Sequence, residues 1–89
     1  MFKFGPNPFT GQLSIDLKTE KQTVLQAVIY DINGTPVFTL ANSRVDEGVH
    51  HFIWNGKNAG GNTLPSGVYT MLIKTDGQIF NTFKLIKIQ

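Results

Sequence analysis

Few side chains in this sequence could do chemistry, and their spacing keeps them apart. His50 and His51 are adjacent, so on a β-strand they point to opposite faces and share no metal ion by local spacing. The acidic residues lie mostly at turns or on the polar face of a strand, where Asp supplies turn hydrogen bonds. They are Asp16, Glu20, Asp31, Asp46, Glu47 and Asp76. This spread predicts structural histidines and no paired acid and base.

The glycine-rich stretch at residues 55–67, NGKNAGGNTLPSG, is predicted to be a long connecting turn. It contains no carboxylate, whereas calcium sites usually collect several, and it opens no helix that could receive a phosphate. The chain lacks cysteine, which excludes disulfides, zinc knuckles and thiol nucleophiles. No nucleophile elbow surrounds its serines. We therefore predict that the protein is not an enzyme and holds neither a metal ion nor a cofactor.

Composition places the 89 residues in one domain, 1–89, with residues 1–5 interpreted as a linker or a remnant of expression. The net charge is +2, and the positive charges are dispersed lysines and the single Arg44. This charge is too low and too dispersed for a surface that binds nucleic acid. No run approaches the roughly 18 apolar residues that a membrane span requires, and no signal peptide opens the chain. An exported protein would therefore contain this chain as one piece.

Alternation with a period of two recurs along the chain and predicts half-buried β-strands. Leu13, Ile15 and Leu17 alternate with polar residues. The run at residues 24–32 is almost wholly apolar and is predicted to be a central strand covered on both faces. Tight turns with positive φ are expected at residues 33–34 and 76–77. The fold class is therefore all-β, an immunoglobulin-like β-sandwich of about seven antiparallel strands.

Three aromatic residues are predicted to lie in the core of this sandwich. Phe52 and Trp54 share a strand face with His50. Phe9 follows Pro6 and Pro8, which fix φ and withhold N–H donors. We therefore expect residues 6–9 to enter the sandwich as a stiff segment that is not a regular strand, with the Phe9 side chain packed in the core. The alternative for Trp54 is an aromatic platform that binds a sugar.

Four stretches together resemble one family closely. They are PNPF, IYDINGTPVFTL, GVHHFIWNGKNAGGNTLPSGVY and FKLIKI, at residues 6–9, 29–40, 48–69 and 83–88. They resemble the type A C-terminal sorting domain of the type IX secretion system of Bacteroidetes. The resemblance implies a C-terminal signal that directs an N-terminal cargo across the outer membrane, after which a sortase-like peptidase typically removes it. The implied partners are the outer-membrane translocon, that peptidase and the cargo in cis, and the implied location is the periplasm and then the cell surface or the medium.

The resemblance also assigns a sorting motif residue by residue. It consists of Pro6, Asn7, Pro8, Gly67, Tyr69 and Lys84, with Lys87 as a helper. Gly5 stands where many members carry an aromatic residue, and Asn55 replaces a common aspartate. We expect recognition near the last hairpin, where a terminal edge strand could pair with a partner. Alternatively, the two lysines only keep that strand soluble.

Two other functions stay open at this point. The pattern IYD-x-x-G together with W-x-G-x-x-x-x-G-x-x-x-P-x-G-x-Y also resembles the immunoglobulin-like domain of flagellar hook-capping proteins. A module that binds carbohydrate or mediates adhesion is the remaining alternative.

Overall fold

The computed structural model describes residues 2–88, which form seven strands in two antiparallel sheets. The strands are β1 (Phe2–Gly5), β2 (Leu13–Thr19), β3 (Thr23–Tyr30), β4 (Pro36–Val45), β5 (Gly48–Trp54), β6 (Gly67–Thr75) and β7 (Gln78–Lys87). One sheet has the order β1-β2-β5 and the other β4-β3-β6-β7. Every neighbouring pair is antiparallel. The predicted all-β, immunoglobulin-like sandwich of seven strands is confirmed.

The core lies between the two sheets, and period-two alternation supplies it. In β2 the predicted apolar positions are buried while the residues between them face water, because successive side chains of a strand point to opposite faces. The buried apolar side chains of the core are Phe9, Leu13, Ile15, Leu17, Leu25, Ala27, Ile29, Trp54, Tyr69, Met71, Ile73 and Leu85. β3 occupies a central place in its sheet as predicted, but only one of its faces is buried and the other is half-buried.

The turn at residues 31–35 differs from the expected two-residue hairpin. Only Gly34 has positive φ, at 82°, whereas the expected turn requires it at Asn33 as well. The Asp31 side chain explains the difference, because its Oδ1 accepts hydrogen bonds from the backbone N–H of Asn33 (2.9 Å) and Thr35 (3.0 Å). A carboxylate that bonds to the backbone two and four residues later selects a longer turn.

The turn at residues 76–77 forms as expected, with φ of 50° at Asp76 and 80° at Gly77. Asp76 also joins this turn to the start of β3. Its N–H donates to the carbonyl oxygen of Val24 at 2.9 Å, and its Oδ1 accepts from the N–H of Val24 at the same distance. The hydrogen bond from Val24 lowers the pKa of the Asp76 carboxyl below its ordinary value of 3.8. The nearby Thr23 hydroxyl and the charges of Lys21 and Arg44 add to this effect.

A carboxyl whose pKa is lower in the folded than in the unfolded state stabilises the fold above the unfolded pKa. That stabilisation is lost as the pH falls through the folded pKa. We therefore expect Asp76→Asn to lower the midpoint of thermal unfolding at pH 7 but to have a shrinking effect below about pH 4. Calorimetric scans from pH 7 to pH 2 measure this, with Glu47→Gln as the control on an exposed carboxyl. An effect of Asp76→Asn that stays constant over this range would contradict the linkage.

Residues 2–5 do not form the linker interpreted from the sequence. They form β1, which pairs with β2 and brings Phe2 and Phe4 beside Phe83 of β7. The rings of Phe2 and Phe83 stack with centroids 4.0 Å apart, and those of Phe4 and Phe83 meet edge to face at 5.4 Å. Burial of these aromatic rings holds the segment in the sheet. Met1 lies outside the described residues.

Candidate functional site

The histidines lie on opposite faces of β5, as the sequence predicted. His50 faces inward, and its Nε2 donates to the carbonyl oxygen of Asp46 at 2.8 Å and lies 3.2 Å from Oγ1 of Thr19. His51 faces outward and contacts the Asp16 carboxylate on the surface. Among residues 2–88, no three side chains of the metal-binding types come together.

The loop between β5 and β6 uses its polar side chains to close turns. Oδ1 of Asn58 accepts from the N–H of Gly60 and of Asn62, both at 3.0 Å. Oδ1 of Asn55 accepts from the N–H of Lys57 at 3.2 Å, so Asn55 supports its turn without the charge of the aspartate common at this position. These contacts are those expected of turn-forming Asn residues.

The residues of the predicted sorting motif come together at one edge of the sandwich, where they close the fold. We call residues 6–9 the lead segment. The side chain of Asn7 accepts from the N–H of Ile86 at 2.8 Å and donates to the carbonyl oxygen of Lys84 at 3.1 Å. The N–H of Phe9 then donates to Ile86 at 2.9 Å, and the N–H of Ile88 donates to Phe9 at 3.0 Å. The lead segment therefore occupies the edge of β7, where we had expected a partner to pair.

The two lysines of that motif have different surroundings. Lys84 is exposed, whereas Lys87 is only 2% exposed. The stem of Lys87 crosses the backbone of Gly56, since a Cβ built on Gly56 would lie 2.6 Å from Cε of the lysine. A single recognition surface formed by both lysines is therefore absent from this arrangement, because Lys87 belongs to the packed interior.

Gly67 and Tyr69 begin β6 directly beside β7. Gly67 pairs with Lys87, and Tyr69 pairs with Leu85. The Tyr69 hydroxyl donates to the carbonyl oxygen of Pro65 at 2.6 Å. Burial raises the pKa of that hydroxyl, and the Asp31 charge raises it further. Tyr69 thus anchors the preceding loop.

The three predicted core aromatics differ in depth. Trp54 is fully buried, and its Nε1 donates to the carbonyl oxygen of Lys57 at 3.0 Å. Phe9 is also buried, with its ring centroid 5.6 Å from that of Trp54, while Phe52 is partly buried against the core. Because the Trp54 ring is enclosed, it offers no platform on which a sugar could stack.

An exposed apolar hollow lies on the outer face of the four-stranded sheet, and the sequence did not reveal it. Ile32 is 80% exposed within the turn after β3, and Val68 is 38% exposed beside it. We call this hollow of about 350 Å³ the outer-face groove. Its lining consists of Tyr30, Asp31, Ile32, Gly34, Val68, Thr70, Leu72 and Thr82. The available signal was an isoleucine inside a polar turn, where burial cannot explain it.

Comparison with known proteins finds one family model that matches most of this chain. Residues 5–78 match the family model of the FlgD Ig-like domain. The basal-body rod modification protein FlgD of Salmonella typhimurium is 43% identical over 47 residues, which are 53% of this chain and 20% of that protein. The Salmonella typhi protein of the same name gives the same values. The chain thus spans a fifth of the length of these curated relatives.

Two solved structures have a similar fold. FlgD from P. aeruginosa has a TM-score of 0.63 at 22% identity, over 86% of this chain and 66% of that one. PorZ, a surface component of the type IX secretion system of Porphyromonas gingivalis, has a TM-score of 0.66 at 19% identity, over 99% of this chain and 11% of that one. At such identities the likeness concerns the fold alone.

The match to the FlgD Ig-like domain contradicts the resemblance to a type IX sorting domain. The same match contradicts what that resemblance implied: the secretion function, the translocon, peptidase and cargo as partners, and the location in the periplasm and then at the cell surface or in the medium. The physical reason is that the shared motifs specify turns and core contacts. Asn7 closes an edge, Gly67 and Tyr69 begin a strand, and Lys87 packs inside, so in this chain each of these residues has a structural role that does not depend on secretion. Within residues 2–88, no helix is long and apolar enough to cross a bilayer.

Proposed function

Because the chain belongs to the FlgD Ig-like domain family, we propose that it is a non-catalytic assembly domain of a flagellar hook-capping or rod modification protein. The observation that carries this proposal is the family match over residues 5–78. The identity with the basal-body rod modification protein of Salmonella typhimurium supports it.

The arrangement of polar groups also supports a domain that binds without catalysing. Asp31 and Asp76 accept backbone hydrogen bonds in turns, and the two histidines point in opposite directions. The outer-face groove instead offers exposed apolar side chains, above all Ile32. A rod or hook subunit is the partner to which we assign this groove, because exposed apolar patches of soluble domains commonly mark protein interfaces.

A chimera tests this function. In a Salmonella strain that lacks FlgD, we would express FlgD in which residues 1–89 replace the corresponding immunoglobulin-like domain. We expect this chimera to restore hook assembly and swarming better than FlgD carrying an unrelated immunoglobulin-like sandwich of the same size.

A substitution in the outer-face groove tests the assigned interface. We expect the additional change Ile32→Asp to reduce the hook assembly and swarming that the chimera restores. Its matched control is Ile79→Asp, at a site 66% exposed in β7. Immunoblots and circular dichroism establish that the chimeras are present and folded. Equal performance of this chain and the unrelated sandwich would refute the proposal.

A further inference from the structure

The lead segment and β1 together bridge both sheets of the sandwich. β1 pairs with β2 in the three-stranded sheet, and residues 7–9 then cross to the edge of β7 in the four-stranded sheet. Phe9 is 1% exposed and lies parallel to β7 at Lys87. This N-terminal unit therefore docks through specific strand pairing and one buried aromatic anchor.

A short exposed turn joins this unit to the rest of the chain. Thr10, Gly11 and Gln12 are all exposed, and the N–H of Gln12 donates to the carbonyl oxygen of Thr10 at 2.9 Å. Gly11 has a φ of +79°, a conformation that residues other than glycine rarely adopt. After this turn, β2 runs back antiparallel to β1.

We propose that a second copy of this chain binds at the same β2 and β7 surfaces by exchange, each copy donating residues 2–9 to its partner. Opening of the Thr10–Gln12 turn would release the unit, and the vacated β7 edge would present the unpaired backbone groups of Lys84, Ile86 and Ile88. The lead segment of the partner satisfies those groups with the same hydrogen bonds. Since the two arrangements share their contacts, the conformation of the turn and the protein concentration decide between them. The β7 edge is thus a pairing site for a Pro-Asn-Pro-Phe segment from the same or another copy.

Cysteine pairs report exchange directly, because the chain has no cysteine of its own. Lys3 of β1 lies opposite Asp16 of β2, and antiparallel neighbours of this kind have Cα atoms about 4.5–5.5 Å apart, within the range of a disulfide. In the full chain with Lys3→Cys and Asp16→Cys, an unexchanged molecule forms an internal disulfide. An exchanged pair forms disulfides between copies and migrates as a covalent dimer without reductant.

The protein would be incubated in reductant at low and high concentration, diluted and then oxidised. We expect the covalent dimer fraction to rise with the concentration during incubation. The matched control carries Lys18→Cys and Val49→Cys, a facing pair on β2 and β5 that exchange leaves within one chain, so its dimers measure random collisions. A dimer fraction that equals this control at every concentration would overturn the proposal.

Changing the turn sharpens the test. In the same cysteine background, Gly11→Ala should strain each closed turn. Because an exchanged dimer opens two such turns, at about tenfold each, the substitution should shift the equilibrium toward that dimer by about a hundredfold. Gly61→Ala is the matched control, because Gly61 also has positive φ, at +85°, and like Gly11 has open space where a Cβ would stand. Gly61 lies outside the turn, so its replacement should leave the dimer fraction unchanged. An equal response to both substitutions would contradict a hinge at residues 10–12.

Discussion

Replacing Trp54 with alanine is expected to lower the free energy of unfolding by about 3–5 kcal/mol. Trp54 is fully buried, and its ring lies between those of Phe9 and Tyr69, with centroids 5.6 and 5.5 Å away. The substitution would leave a cavity and remove the donor that bonds to the carbonyl oxygen of Lys57. Since domains of this kind are stable by only about 5–15 kcal/mol, a large share of the stability depends on this one side chain.

Urea unfolding followed by circular dichroism measures the effect of Trp54→Ala. Trp54→Phe keeps an apolar ring and should cost clearly less, while Phe80→Ala removes an aromatic side chain that is 47% exposed and should cost least. If Trp54→Ala and Phe80→Ala lowered the free energy of unfolding equally, the assignment of Trp54 to the core would be wrong.

Gly56→Ala is expected to lower the free energy of unfolding by about 2–5 kcal/mol, from two causes. Gly56 has a φ of +75°, which costs an L-residue roughly 1–2 kcal/mol. The added Cβ would also lie 2.6 Å from Cε of Lys87, and overpacking of this kind costs about 1–3 kcal/mol. Lys87 is 2% exposed, so its stem has little room to move away.

Gly61→Ala separates these two causes. Gly61 has a φ of +85° and no atom near the place of a Cβ, so its substitution should cost only the backbone term of about 1–2 kcal/mol. The difference between the two variants, measured by urea unfolding, reports the packing of Lys87 over Gly56. Equal losses would mean that Lys87 yields without cost.

The sequence predicted best the features that depend on local pattern. The alternation around Ile15 and the turn at Asp76 and Gly77 appear where expected, because strand periodicity and positive φ are properties of neighbouring residues. The turn after β3 failed at the same level of detail, because the Asp31 carboxylate competes for the backbone of Asn33 and Thr35. The residue types alone do not show whether the two-residue turn or the turn closed by the Asp31 side chain is more stable.

The candidate site was harder to predict, because it depends on contacts between distant parts of the chain. Lys87 stands in a lysine-bearing terminal strand that suggested a surface role, yet the approach of Gly56 encloses it. Asn7 was assigned to recognition, whereas its side chain closes β7. Ile32 was predicted to lie in a strand covered on both faces, whereas β3 ends at Tyr30 and Ile32 is the most exposed of the large apolar side chains described. The motif stretches therefore identified the sandwich correctly but did not distinguish one of its functions from another.

The hydrogen bonds between Asn7 and β7 join residues 77 and 79 positions apart, so they close a loop that contains nearly the whole chain. Closing so long a loop is entropically unfavourable until the strands inside it have formed. The amide of Ile86, which bonds to Asn7 at 2.8 Å, is therefore sheltered from solvent only in molecules whose intervening strands are already assembled. Its protection against hydrogen exchange reports completion of the fold, whereas amides within single hairpins report only local pairing.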